Sequence, residues 1–172
     1  MRLGIMLGYS GAGFAAAVDE LVDHERAGAE IVAVPEAYSF DAVSQLGFVA
    51  ARTTRMELTS GIVQLYSRTP TLTAMTAAGL DYVSGGRFSL GLGASGPQVV
   101  EGFHGVPYDA PLARTRETVE ICRQVWRREP VVHSGRHYQV PLPPGVGTGL
   151  GKPLKLINHP VRPRIPVILA AV

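Results

Sequence analysis

Short apolar runs alternate with amphipathic stretches of helix length through the first hundred residues. Leu3, Ile5 and Leu7 alternate with other positions and predict a first strand. Gly8, Gly11 and Gly13 then form a loop. A helix follows over 14–27, with Phe14, Val18, Leu21 and Val22 on one face and Gly28 suited to its end. The continuous apolar run Ile31 to Val34, stopped by Pro35, predicts a buried second strand. Asp41 to Arg52 repeats the helical pattern through Val43, Leu46, Val49 and Ala50. Leu58 to Leu65 predicts the third strand, and Thr69 and Pro70 suit the cap and first residue of a third helix that reaches Val83. Gly85 and Gly86 close that helix, and Phe88 to Leu92 predicts a fourth strand.

The rhythm loosens afterwards. A helical turn is expected over 97–103 and a longer helix over 112–128, with Val119, Cys122, Val125 and Trp126 as its buried stripe. Val131 to Val140 predicts a small hairpin pivoting on Ser134 and Gly135. Residues 141–163 are rich in proline and glycine. They predict an ordered loop or lid, with Leu150, Leu154, Leu156 and Ile157 available to pack. Ile165 to Ala170 predicts a fifth strand. Four strand–helix alternations with nearly continuous apolar strands predict an α/β fold of parallel units joined by right-handed crossovers. The count is about half of an eight-stranded TIM-type barrel, strands 1 to 5, in one domain over 1–172. A final core strand without a following helix leaves an edge unpaired. The expectation is a barrel truncated after its fifth strand, or a half that pairs with something.

Composition narrows the function classes. Of 172 residues, 46% are hydrophobic and 17% charged, and the net charge of +2 is scattered without a basic run. Nucleic acid is therefore not an expected partner. Cys122 is the lone cysteine, which excludes an internal disulfide, offers no metal cluster and suits a reducing cytoplasm. The apolar start, Leu3 to Val18, is broken by Gly8, Ser10, Gly11 and Gly13 and reads poorly as a signal peptide. No apolar run is long enough to span a membrane.

Two glycine features carry the candidate chemistry. Gly61 interrupts a strand, which marks either an incidental bulge or a close approach by a ligand. Gly91-Leu92-Gly93-Ala94-Ser95-Gly96 matches G-x-G-x-x-G, but no acid follows at the end of a next strand about twenty residues on, as a dinucleotide fold requires. Gly93, Ser95 and Gly96 therefore suit either a phosphate contact at a strand end or a tight turn. His104 reads as a hydrogen-bonded loop residue. His133, His137 and His159 lack metal-ligand spacing, and Trp126 reads as core.

Several blocks together resemble a known family. They are Ser60-Gly61-Ile62-Val63, Asp81 to Gly93 with its Ser-Gly-Gly-Arg-Phe core, Arg114 with Arg116-Glu117, Val125-Trp126, Gly135-Arg136-His137-Tyr138 and Ile165 to Ala171. The chain resembles the N-terminal half of the bacterial-luciferase-like oxidoreductases, in the branch that uses the deazaflavin coenzyme F-420. The resemblance implies a non-proline cis peptide at Gly61-Ile62 that supports one face of the ring, with Ile62 as its apolar surface. It implies further cofactor contacts at Gln64, Ser95 and Gly96. Glu36 matches an acidic position near the deazaflavin, or is a solvated loop carboxylate. Tyr9 is a candidate for the substrate pocket. The sugar-phosphate dehydrogenases of this family carry a histidine and a glutamate where this chain has Ala37 and Gly96, so alcohol oxidation is not expected. Hydride transfer between the deazaflavin and a small organic substrate with an activated or imine-like double bond is expected instead, by a homo-oligomer. The alternatives are a flavin-dependent monooxygenase using FMN and a non-catalytic half-barrel acting by assembly.

Overall fold

The computed structural model describes residues 2–9 and 13–170. Ser10 and Gly11 near the first loop and Ala171 of the last motif lie outside the described residues. The chain runs β1 (Gly4–Met6), α1 (Phe14–Arg26), β2 (Ile31–Val34), α2 (Ala42–Arg52), β3 (Glu57–Ser60), β4 (Val63–Gln64), α3 (Pro70–Val83) and β5 (Phe88–Gly93). It continues through α4 (Pro97–Gly102), α5 (Pro111–Trp126), β6 (His133–Ser134), β7 (Gln139–Val140) and β8 (Val167–Leu169). β1, β2, the β3–β4 pair, β5 and β8 lie side by side in sequence order, and all neighbours are parallel. This is the α/β half barrel expected from the alternation of elements. β6 and β7 form the separate antiparallel hairpin, turning over 135–138 rather than at Ser134-Gly135.

The third strand is not the continuous run expected over 58–65. Thr59 pairs with Ser89, but Val63 pairs with Leu92, so four steps along one strand match three along β5. One residue is extra, which defines a bulge at Gly61-Ile62. That peptide bond is cis. Ser60 repairs the broken ladder with its side chain: its hydroxyl donates to the Gly91 carbonyl at 2.8 Å and accepts from the Gly91 N–H at 3.0 Å.

Helix ends follow their residues. Asp41 caps α2 by accepting from the N–H groups of Val43 and Ser44, and Thr69 caps α3 through Leu72 with Pro70 next. Trp126 and Cys122 are buried where α5 crosses α3, donating to the Ala74 carbonyl at 3.0 Å and the Pro70 carbonyl at 3.6 Å. Burial pushes the Cys122 thiol up to about 12, so it stays protonated and unreactive at neutral pH.

The Ser-Gly-Gly-Arg-Phe block is structural. Gly85 and Gly86 take positive φ to end α3. Arg87 then donates to the carbonyls of Ala50, Thr53, Met56 and Ser84 and to the Thr53 hydroxyl. It thereby satisfies the orphan C-terminal carbonyls of α2. Buried Glu25 works from the other side, accepting from the N–H groups of Thr54, Arg55 and Met56. Arg162 meets fully buried Asp81 and the Phe88 carbonyl, fastening the end of the Pro/Gly-rich segment.

That segment does not pack as its apolar residues suggest. Leu150, Leu154 and Ile157 are 83%, 66% and 88% exposed, and only Leu156 rests against the core. Backbone groups hold the segment instead: Leu154 O accepts from Val131 N–H, and Arg128 binds the carbonyls of Leu156 and Ile157.

Glu117 organises the hairpin. Its carboxylate accepts from the N–H groups of Arg136, His137 and Tyr138 and pairs with His133 at 3.2 Å. A Cβ on Gly135 would collide with it. Burial raises the carboxyl's pKa, but the bonds from His133 and the three N–H groups outweigh that and hold it below the ordinary 4.5. A depressed folded pKa stabilises the protein above the unfolded value and loses that contribution as pH falls through the folded one. Glu117→Gln is therefore expected to cost roughly 2–4 kcal/mol at neutral pH, because it leaves hairpin donors unpaired. The gap between mutant and parent should narrow below about pH 4.5. Urea midpoints measured from pH 3 to 8 check this, and a gap that stays constant to pH 3 contradicts it.

Candidate active site

The C-terminal ends of the strands bring together most of the residues singled out in sequence. Gln64 ends β4 and is 1% exposed. Its amide nitrogen lies 2.6 Å from His104 Nε2. Among the described residues its carbonyl Oε1 has no hydrogen-bond partner. Such a buried acceptor costs about 1–3 kcal/mol unless something satisfies it. Two residues earlier, the side chain of Ile62 lies over Gly93, close enough that a Cβ on Gly93 would sit 3.2 Å from it.

The tight point of the bulge is on the neighbouring strand. A Cβ on Gly61 would meet Ala33 and Met6 at ordinary contact distances of 3.4 and 3.6 Å. A Cβ on Gly91 would instead overlap the Ser60 carbonyl oxygen. Two glycines of the G-x-G-x-x-G run therefore have a packing cause: Gly91 clears Ser60, and Gly93 clears Ile62. Ser95 and Gly96 form the turn after β5. Ser95 has φ 59° and its carbonyl accepts from the Tyr108 hydroxyl at 3.4 Å, while Gly96 caps the six-residue α4 through the N–H groups of Val99 and Val100. They stand at the lip of the strand ends.

Glu36 is not a solvated loop carboxylate. Arg68 grips it through two bonds of 2.5 and 2.8 Å, and the Ala42 N–H at the start of α2 donates to it at 2.9 Å. The two side chains are only 7% and 13% exposed. The pair locks the end of β2 to the loop after β4. The bond to Glu36 outweighs burial and raises the Arg68 pKa, so the guanidinium is fully charged. Ser67 continues the loop's fastening by donating to the Gln64 carbonyl.

Across the mouth, Tyr9 joins Ala37, Tyr38, Ser39 and Phe40 in an open cleft of about 870 Å³. Tyr9, Tyr38, Phe40 and Phe103 are 57–71% exposed. Phe103 bridges Tyr38 and His104, with ring centroids 6.3 and 5.1 Å away. Sequence reasoning did not assign site roles to Arg68, Phe103 or His104. The Gln64–His104 contact spans forty positions and has no spacing signature. A second hollow of about 900 Å³ lies under the Pro/Gly-rich segment, among Met75, Val125, Val131 and Leu156, away from the strand ends. Among the described residues no group of three or more His, Cys, Asp or Glu side chains could hold a metal, and no helix is long and apolar enough to cross a membrane.

Against known proteins, the profile described as luciferase-like monooxygenase matches residues 1–172. The chain belongs to that family. It is 50% identical over 173 residues to a Mycobacterium tuberculosis protein provisionally named a coenzyme F-420-dependent oxidoreductase, covering 99% of this chain and 50% of that one. Its fold superposes on the monooxygenase RslO1 from Streptomyces bottropensis with a TM-score of 0.81 and 26% identity, over 98% of this chain and 53% of the other. It also superposes on the coenzyme F-420-dependent tetrahydromethanopterin reductase from Methanopyrus kandleri with a TM-score of 0.79 and 24% identity, over 99% and 50%. This luciferase-like chain thus spans about half the length of the relatives it matches.

Proposed function

We propose that the strand-end cleft binds the ring of coenzyme F-420 and that the whole protein is an oxidoreductase acting on a small organic substrate. The observation that carries the ring site is the buried side-chain carbonyl of Gln64, unpaired among the described residues, beside the Gly61-Ile62 bulge. A flat ring seated on the bulge has an apolar surface from Ile62, an acceptor from Gln64 and aromatic walls from Tyr38 and Phe103. Bound there, the deazaflavin supplies hydride transfer. The residues' work is to orient the ring, exclude water and leave one face open towards Tyr9 for substrate. Ser95 and Gly96 contribute the lip near the cofactor. Glu36 sits one layer behind and holds the loop that carries Gln64.

The preference for the deazaflavin over FMN rests on the half-identical mycobacterial relative. Ala37 and Gly96 supply no acid–base pair, which favours reduction of an activated double bond over oxidation of an alcohol. Titration with F-420 and with FMN, followed by cofactor fluorescence, separates the two readings. F-420 is expected to bind at least tenfold tighter. Saturable FMN binding without any F-420 binding would move the protein to the flavin monooxygenases.

A further inference from the structure

We infer that His104 is a positioning residue that fixes the amide of Gln64, so that its carbonyl oxygen accepts an N–H from the bound ring. The inference rests on the ring-site reading above and concerns a residue that reading does not need. Gln64 is 1% exposed, and its Nε2 lies 2.6 Å from His104 Nε2. An amide nitrogen only donates, so in this arrangement the imidazole nitrogen facing it accepts. His104 is then neutral, with its proton on Nδ1. This fixes the sense of the amide: the NH₂ end is taken by His104, and the orphaned acceptor, Oε1, is the end left for a ligand. The opposite tautomer would donate to Oε1, turn the amide over and offer the ring two N–H groups. Deazaflavin and flavin rings both carry a pyrimidinedione edge with an N–H between two carbonyls; the first arrangement accepts that N–H, whereas the second would donate to a carbonyl and leave the N–H without an acceptor from Gln64.

The imidazole is itself held. Its backbone N–H bonds the Val99 carbonyl at 3.2 Å, and Phe103 packs edge-on against the ring with centroids 5.1 Å apart. These contacts place Nε2 at Gln64, so the pairing does not depend on a freely rotating loop.

The test is a double-mutant cycle on the full chain, read by equilibrium binding of F-420 and FMN and by imidazole ¹⁵N shifts. His104→Ala is expected to weaken ring binding about tenfold, and Gln64→Leu to weaken it similarly. Because His104 acts through Gln64, adding His104→Ala to Gln64→Leu should cost nothing further. His104→Gln, whose carbonyl can accept from the Gln64 amide, should restore most of the affinity, while His104→Lys, which only donates, should not. A merely structural role for His104 predicts additive losses and no such rescue. Additivity, unchanged binding in His104→Ala, or an Nε2-protonated imidazole in the free protein overturns the inference. If the parent chain binds neither ring, the ring-site reading fails, and the ¹⁵N spectrum still judges the His104–Gln64 pairing by itself.

Discussion

Gly91→Ala is expected to lose about 3 kcal/mol of stability and to abolish ring binding in the same step. The reason is geometric. The third strand bulges towards β5 beside Gly91, and the Ser60 carbonyl occupies the space a methyl group would need. Neither partner is a flexible side-chain end. Accepting the methyl means moving two backbones in a sheet buried along all six residues of β5. Movement there also breaks both Ser60–Gly91 hydrogen bonds and shifts Ile62 and Gln64 together. Gly79→Ala is the matched control, since it sits in the α3 interior with nothing within 4 Å of an added Cβ. That change should stabilise the protein by roughly 0.5–1 kcal/mol through helix propensity. Urea midpoints for the two variants should therefore move in opposite directions. Equal midpoints would mean that the bulge yields easily and does not shape the site.

Glu36→Ala should be at least as damaging to stability, at roughly 3–5 kcal/mol, because it strands Arg68 as a buried charge. The diagnostic variant is the double change Glu36→Met with Arg68→Met. Replacing both charges by apolar chains of similar volume removes the penalty and should recover most of the stability. The double variant also separates two roles for Glu36. If the carboxylate only fastens β2 to the loop after β4, the refolded double variant keeps its F-420 affinity within about threefold. If Glu36 also touches the cofactor, affinity falls while stability is restored. A single Glu36→Ala that melts like the parent would show that the pair is solvated and contributes nothing, as surface pairs usually do.

The strand–helix alternation was legible because each parallel strand is a short apolar run and each helix shows its buried stripe at 3.6-residue spacing. The caps at Asp41 and Thr69, the stop at Gly85-Gly86 and the core positions of Trp126 and Cys122 follow from the same local chemistry. The proposed ring-site positions Gly61, Ile62 and Gln64 were singled out only through family resemblance, since one glycine in a strand does not distinguish a bulge from an accident. The exposure of Leu150, Leu154 and Ile157 was not legible, because the segment is fastened through its backbone by Val131 and Arg128, which belong to another part of the chain.

By itself the sequence determined the order of elements and the α/β class, because propensity, capping and periodicity act between residues a few positions apart. Tertiary structure alone decided which residues share a hydrogen bond. Glu36 meets Arg68 across 32 positions, Gln64 meets His104 across 40, and Ser60 meets Gly91 across 31. It also gave Gly91 and Gly93 a packing cause that the G-x-G-x-x-G pattern does not show, clearance for the bulge. Bond partners and steric clearance depend on distances in space, which the packing of the strands and their loops sets and local sequence does not.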